Sequence, residues 1–122
     1  MTNITSSSDL NLTATDNVNL SGGIIYSVQN ITGPGAISLT DTVTLITTSG
    51  DSENDYTLAD GTEGQLKIII MKVKDGQNAR IEPSNLVGYT AVRFNNVHDN
   101  FQLLYGSTGW NIIALQNASK IS

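Results

Sequence analysis

The sequence has no cysteine, two prolines, a single histidine and, through its first 66 residues, no Lys or Arg. The missing cysteines exclude disulfides and thiol chemistry, and one histidine without cysteine cannot supply the ligands of a zinc site. The longest apolar run, residues 68–71, is far too short to cross a bilayer. The first residues also lack the basic and apolar regions of a secretory signal. These absences argue against a secreted, membrane-spanning or zinc-dependent protein.

The composition of the chain favours β-strands over helices or disorder. At 122 residues it has the length of one domain. Only 14% of the residues are charged, whereas disordered chains are typically rich in charge. Ile, Val and Thr recur throughout, which suits strands, and no segment repeats apolar residues with a helical period. The sequence therefore predicts an all-β fold, a compact antiparallel β-sandwich or barrel-like domain.

Short strand candidates alternate with turn signals from residue 24 to residue 115. Asp75-Gly76 is the strongest hairpin signal among these turns, because glycine tolerates the positive φ that tight hairpins need. The last two strands are expected to pair through the turn at residues 106–109. The predicted strands span residues 24–29, 36–39, 43–48, 55–58, 65–73, 79–81, 91–94, 101–105 and 111–115.

Residues 9–20 alternate between apolar and polar positions, which is the period of a β-strand. A lone strand leaves its backbone N–H and C=O groups unpaired, and even a two-stranded hairpin is marginal in water. We therefore expect residues 1–23 to form an extended arm that another chain completes by strand pairing. One face of the arm holds Asp16 together with the residues predicted to bind that chain, Leu10, Leu12, Ala14, Val18 and Leu20.

The strand predicted at residues 65–73 is apolar on both faces, unlike the arm. Such a strand is covered on both faces, which in a small domain requires a second sheet or a neighbouring subunit. We therefore assign its side chains to the core or to a trimer interface, and we expect the lysines at positions 67, 72 and 74 to reach solvent or acidic loops. The two faces are formed by Leu66, Ile68 and Ile70 and by Ile69, Met71 and Val73.

No group of residues has the pattern of a catalytic or cofactor site. His98 lies in a polar stretch with no evident partner, which is typical of a solvated turn. Asp51, Glu53 and Asp55 alternate in one loop, as Ca²⁺ ligands can, but this loop lacks the glycine and the distal glutamate of an EF-hand. A solvated acidic loop is the simpler interpretation, and cation binding there is left open. We expect no enzymatic activity, no metal and no cofactor.

Charge is distributed unevenly along the chain. Residues 1–66 hold eight acidic residues and no Lys or Arg, whereas residues 67–122 hold six Lys or Arg and three acidic residues. Such polarity could attract subunits head to tail, or the acidic residues could simply populate solvated loops. There is no basic cluster, so nucleic acid is not an expected partner.

Four stretches, at residues 37–46, 56–71, 81–86 and 103–115, follow a recognisable order. The order is a strand, Leu-x-Asp-Gly-x-x-Gly-Gln, a long apolar strand, Pro-x-Asn-Leu, a strand and a Gly-x-Trp strand. With it, residues 36–115 resemble a β-rich module of structural proteins of tailed phages, especially tail-fibre and capsid-appendage proteins of marine and cyanobacterial phages. The resemblance is a pattern of turns and strands rather than a catalytic signature. It implies a homotrimeric part of a virion.

Length decides which virion part we expect. The chain starts almost directly into the module and stops soon after Leu115, which favours a head decoration (cement) protein over a long fibre. The expectation is a homotrimer on the outer capsid surface, made in the host cytoplasm. Residues 1–23 would bind the major capsid protein and residues 24–122 would form the trimerising domain, with no membrane or nucleic-acid partner.

Two alternatives are weighed beside this expectation. The first is a tail-fibre or receptor-binding module that recognises host surface glycan, for which the candidate stacking aromatics are Tyr56, Tyr89 and Trp110. Trp110 fits better in a core. The second is a cellular β-sandwich adhesion module, against which the missing signal peptide and cysteines argue.

Overall fold

The structure is a computed structural model that describes residues 3–122, and it confirms an all-β chain. Those residues form ten strands and no helix, so they contain no helix that could span a membrane. The predicted strands at residues 43–48 and 91–94 match the observed ones in both bounds. The strands are β1 (Val28–Thr32), β2 (Gly35–Ala36), β3 (Val43–Thr48), β4 (Asn54–Leu58), β5 (Leu66–Lys74), β6 (Ala79–Pro83), β7 (Ala91–Phe94), β8 (Asn100–Tyr105), β9 (Trp110–Gln116) and β10 (Ser119–Ile121).

The strands form two five-stranded sheets. The first sheet has the order β1-β3-β5-β8-β9 and the second has the order β10-β7-β6-β4-β2. From β1 to β6 the chain alternates between the sheets, so β1, β3 and β5 run parallel to one another, as do β2, β4 and β6. The expectation of an antiparallel arrangement is therefore wrong, and of the two architectures expected the structure is consistent with the sandwich and not with the barrel. Both sheets are mixed, with antiparallel pairs only where β7–β10 take part, and the sheets do not close into a barrel.

This alternation winds the first six strands like the turns of a solenoid. Parallel neighbours cannot be joined by a tight turn, and here each crossover passes through a strand of the opposite sheet. The corners of successive turns stack, since a Cβ added to Gly76 would lie 2.4 Å from the carbonyl oxygen of Gly50. The Asp75 N–H donates to the Thr48 hydroxyl at 3.2 Å. Asp75-Gly76 is thus a turn, as predicted, but it leads β5 into the other sheet and forms no hairpin.

The core lies between the sheets and contains inward side chains of both. Phe94 and Phe101 meet edge to face with ring centroids 5.7 Å apart. Tyr105 and Trp110 do the same at 5.0 Å, and the Trp110 indole N–H donates to the Ala59 carbonyl at 3.0 Å. The fully buried apolar residues include Ile46, Tyr56, Ile69, Met71, Ile81, Val92, Phe94, Phe101, Leu103 and Trp110.

Strand β5 divides its side chains between the core and the outer face of the first sheet, as a strand apolar on both faces should. Ile69 and Met71 belong to the core. Val73 does not join them, because a bulge in the pairing with β3 places it opposite Thr47, where it is 41% exposed. The half-buried outward residues of β5 are Leu66, Ile68 and Ile70.

Lys67 is also an inward residue of β5, which corrects the expectation that it reaches solvent. Its side chain is fully buried, and its ammonium donates to the carbonyl oxygens of Ser38 at 2.8 Å and Asp41 at 2.6 Å. The alternation of the strand places it on the same face as Ile69 and Met71. Two backbone carbonyls at the end of the core give the buried ammonium the partners that solvent would otherwise supply.

Candidate binding surfaces

The chain before β1 is exposed and forms no strand in residues 3–27. The apolar side chains of the predicted arm stand open to solvent, with 55% of Leu10, 66% of Leu12, 53% of Val18 and 62% of Leu20 accessible. The strand expected at residues 24–29 begins only at Val28. The first two residues of the arm lie outside the described residues. Pairing of the arm with another chain stays a prediction.

The outer face of the first sheet is apolar across neighbouring strands. Strand register brings Val28, Val43 and Ile68 into one row. A second row joins Leu45 to Ile70, and Leu66 pairs with Leu104 of β8. We call this surface the aliphatic face; it consists of Val28, Val43, Leu45, Leu66, Ile68, Ile70 and Leu104.

The aliphatic face is bordered by amides and carries no carboxylate. Asn100 and Gln102 flank it on β8, and Gln116 lies beyond them on β9. At its end the Lys72 ammonium donates to the Asn30 side chain at 3.2 Å. Leu104 keeps 39% and Val28 keeps 47% of its surface accessible. Large contiguous apolar patches on protein surfaces are typical of interaction sites.

The outer face of the second sheet is charged, in contrast. Arg80 pairs with Glu82 along β6. Arg93 donates through Nε to Glu53 Oε2 at 2.5 Å, and this hydrogen bond together with the Glu53 charge raises the pKa of Arg93. The outer faces of the two sheets therefore differ, because one is charged and the other is apolar.

The acidic loop contributes to that charged face rather than to a cation site. Glu53 turns to Arg93, and Asp51 and Asp55 are exposed. Within residues 3–122 no group of three or more His, Cys, Asp or Glu side chains is arranged to hold a metal ion. His98 lies in an exposed turn at φ 77°, where its backbone N–H donates to the Met71 carbonyl at 2.8 Å.

The buried amine of Lys67 has a lowered pKa, but no ligand can reach it. Burial lowers its pKa to about 8, and the Asp41 carboxylate opposes that shift. A lysine with lowered pKa can act as a nucleophile or base, but this amine has no exposed surface and its donors reach the Ser38 and Asp41 carbonyls. Its role is to anchor the loop at residues 38–41 to the core.

A groove of about 570 Å³ opens where β4 and β6 end and the loop of residues 84–90 begins. Tyr89 lines it and is 38% exposed, while the Lys120 ammonium lies over the tyrosine ring at 4.8 Å from the centroid. The remaining lining is apolar at Leu58, Ala59, Pro83 and Leu86 and polar at Thr57, Glu82, Ser84, Asn85 and Thr90. We call this surface the Tyr89 groove.

The loop that lines the Tyr89 groove is fixed to the core. The backbone N–H of Trp110 donates to the Asn85 carbonyl at 3.0 Å, and the backbone N–H of Val87 donates to the Trp110 carbonyl at 2.9 Å. The Asn85 side-chain amide donates to both carboxylate oxygens of Asp60, at 2.9 and 3.0 Å. These bonds hold Asn85 at a positive φ of 52°, a conformation that asparagine tolerates better than most residues.

Of the three aromatics proposed from the sequence for stacking, only Tyr89 is accessible. Tyr56 and Trp110 are fully buried. Sequence reasoning did not bring the ends of β4 and β6 together, because their parallel pairing depends on the solenoid winding. Neither known family models nor curated proteins nor solved structures match the chain.

Proposed function

We propose that this chain is a non-enzymatic virion structural protein, a capsid decoration protein that assembles as a homotrimer and binds the major capsid protein through its N-terminal arm. The observation that carries the proposal is the pair of unpartnered surfaces, the exposed alternating arm and the aliphatic face. The resemblance of residues 36–115 to phage appendage modules supplies the virion context. Decoration of the head follows from the arm, which is suited to strand addition.

The aliphatic face supports the trimer. Parallel strands are ordinarily covered on both faces, yet β1, β3 and β5 are covered by the core on one side only. Burying apolar surface contributes about 25 cal/mol for each Å², and the absence of carboxylates on this face removes like-charge repulsion between copies. In the proposed trimer, the aliphatic faces of three copies pack around the symmetry axis.

The arm supports attachment to a different protein. Its alternating residues would turn a polar face toward water and would place Leu10, Leu12, Val18 and Leu20 in shallow pockets of the partner. Main-chain hydrogen bonds supply affinity in this mode of recognition, and the alternate side chains supply specificity. The major capsid protein is the proposed partner because a decoration protein is held on the shell that it stabilises.

Sedimentation of matched glutamate variants tests the trimer. Ile68→Glu places a charge on the aliphatic face, and Thr57→Glu places the same charge at an outward position of β4 in the second sheet. We expect the wild type and Thr57→Glu to sediment as trimers and Ile68→Glu to sediment as a folded monomer. A wild-type protein that is a folded monomer at micromolar concentration would show that the trimer proposal is wrong.

Electron microscopy and copy number test the location. Virions made with the full chain should carry it at a copy number set by the capsid lattice, and virions made with residues 1–20 deleted should lack it. The deletion should leave the trimer folded, since in the described residues 3–122 no core residue lies before Ile31. Loss of the trimer on deletion would indicate that the arm is exchanged between subunits instead.

The second candidate is a tail-fibre or receptor-binding module for host surface glycan. The Tyr89 groove favours it, because an accessible aromatic beside amide and carboxylate groups is suited to sugars. The same copy-number measurement separates the two candidates. A number equal to that of the tail appendages, with density at the tail, would support this candidate and contradict decoration of the head.

A further inference from the structure

We infer that the Tyr89 groove binds an uncharged pyranose sugar, whichever part of the virion the chain occupies. Sugar binding in this groove goes beyond the decoration function, specifies the ligand class of the glycan-binding candidate, and uses neither the arm nor the aliphatic face. It rests on the size of the groove, its mixed lining, its charge balance and its fixed geometry.

The size of the groove suits one or two sugar rings. Small-molecule sites in proteins commonly have volumes of about 300–1,000 Å³, and this groove has about 570 Å³. It is formed by two parallel strand ends and a loop that is bonded to the core. A ligand could therefore enter without the sheets having to separate.

The lining matches the two chemical aspects of a sugar ring. One aspect of a pyranose presents C–H groups, which carry a slight positive charge and pack on the negative face of an aromatic ring. Tyr89, whose ring has the Lys120 ammonium over one face, supplies the accessible apolar surface for that aspect together with exposed Ala59, while Leu58, Pro83 and Leu86 form the buried floor behind it. The hydroxyl groups of the sugar need donors and acceptors, and these are supplied around the groove by Thr57, Glu82, Ser84, Asn85 and Thr90.

The charges around the groove favour a neutral ligand. The Glu82 carboxylate is paired with Arg80, and the Lys120 ammonium lies over the Tyr89 ring. Asp60 adds a further carboxylate next to the groove, bound to Asn85. A phosphate or an acidic sugar would be repelled by these carboxylates, and Arg80 is already bound to Glu82. A neutral sugar is not repelled and needs no cationic partner.

The geometry of Asn85 is set before a ligand arrives. Both carboxylate oxygens of Asp60 hold the Asn85 amide nitrogen, so the amide oxygen is the group left to accept a hydroxyl proton from the ligand. The backbone of Asn85 is held by Trp110 in turn. Groups fixed in this way lose less conformational entropy when a ligand binds.

Saturation-transfer NMR on the full chain tests the inference. The probes are methyl glycosides of neutral hexoses and N-acetylhexosamines, with glucuronic and sialic acids as charged comparators. We expect transfer to at least one neutral glycoside, and a loss of affinity of about tenfold or more for Tyr89→Ala. Tyr89→Phe keeps the ring and should bind within about threefold of the wild type.

A tyrosine outside the groove provides the matched control. Tyr26 lies before β1 and is 42% exposed, close to the exposure of Tyr89, so Tyr26→Ala should bind the neutral glycoside as the wild type does. Failure of every neutral glycoside to bind would overturn the inference, as would equal binding by Tyr89→Ala and the wild type. Binding confined to the acidic sugars would show that the ligand class is wrong. None of these results bears on the trimer or on the arm.

Discussion

The carbonyl oxygen of Asn85 lies 2.0 Å from the position that a Cβ on Gly109 would occupy. The two backbones are in direct contact, and the next residue along, Trp110, donates its N–H to the same oxygen at 3.0 Å. The start of β9 in the first sheet is thereby joined to the loop that lines the Tyr89 groove. Only glycine allows this approach, so the groove and the last hairpin depend on one residue.

Gly109→Ala should destabilise the fold and disturb the groove together. The added methyl group meets backbone rather than a flexible side chain, and overpacking of this kind typically costs about 1–3 kcal/mol. Gly22→Ala is the control, because a Cβ at Gly22 meets nothing within 4 Å. Urea denaturation of both variants measures the difference. Equal midpoints for the two variants would mean that the loop moves away from β9 without penalty.

Lys67 should make the protein more stable as the pH rises above about 8. Its pKa is lowered to about 8 in the folded state from 10.5, so between these values the unfolded chain binds more protons than the folded chain. The free energy of unfolding therefore increases with pH in this window. Each pKa difference of one corresponds to about 1.4 kcal/mol, so we expect a rise on the order of 2 kcal/mol by pH 10.

Lys67→Met separates this effect from other titrations. The variant fills a similar volume without the amine, so its free energy of unfolding should change much less between pH 8 and pH 10. Denaturation at several pH values measures both proteins. If the free energy of unfolding depends on pH in the same way in the wild type and the variant, burial does not lower the pKa of Lys67.

Tyr56→Phe should leave the stability unchanged or raise it by up to about 1 kcal/mol. The Tyr56 hydroxyl is buried and has no hydrogen-bond partner among the described residues, so its removal relieves an uncompensated desolvation cost. Trp110→Phe provides the contrast, because it removes volume and the hydrogen bond to Ala59 and should cost more than 1 kcal/mol. A large loss in Tyr56→Phe would reveal a partner for the hydroxyl.

The raised pKa of Tyr56 predicts that the free energy of unfolding falls in alkali. Burial raises the pKa of Tyr56 to about 12, so above pH 10 the unfolded chain loses this proton first and the free energy of unfolding falls. In Tyr56→Phe this contribution to the fall between pH 10 and pH 12 should be absent. The Lys67 effect lies at lower pH, so the two can be measured separately.

Local features of the chain were predictable and the winding was not. Strands such as β3 and β7 were placed because β-branched residues between turn signals encode them locally. Their assignment to sheets depends on long-range pairing, and Asp75-Gly76, whose sequence favours a hairpin, here turns the chain into the opposite sheet. The parallel alternation of β1–β6 therefore could not be inferred from the turns.

The burial of Lys67 had a signal in the sequence that residue type concealed. Lys67, Ile69 and Met71 occupy every second position of β5 and therefore lie on one face of the strand. Because Ile69 and Met71 are core residues, the strand period alone would have placed Lys67 in the core. Bulges interrupt this two-residue period at two other places. Ile113 is 53% exposed next to a shift in the pairing of β8 with β9, and Val73 follows the bulge in β5. Neither bulge leaves a mark in a single sequence.

Proline substitutions in the arm should abolish attachment if the arm binds as an added strand. Thr13→Pro or Thr15→Pro removes one backbone donor, whereas Thr→Ser at the same positions preserves the backbone. Both positions lie in the exposed segment before β1, so the fold should be unaffected. Cosedimentation with capsids lacking the protein should retain the serine variants and lose the proline variants.

Salt distinguishes strand pairing from attraction between the oppositely charged halves of the chain. The arm carries only Asp9 and Asp16 as charges, so strand pairing should depend little on ionic strength. Raising the salt from about 0.1 M to about 1 M shortens the screening length from about 10 Å to about 3 Å and should weaken attachment only slightly. If high salt removes the protein from capsids while the proline variants still bind, the uneven charge of residues 1–66 and 67–122 holds the complex, and strand addition by the arm is wrong.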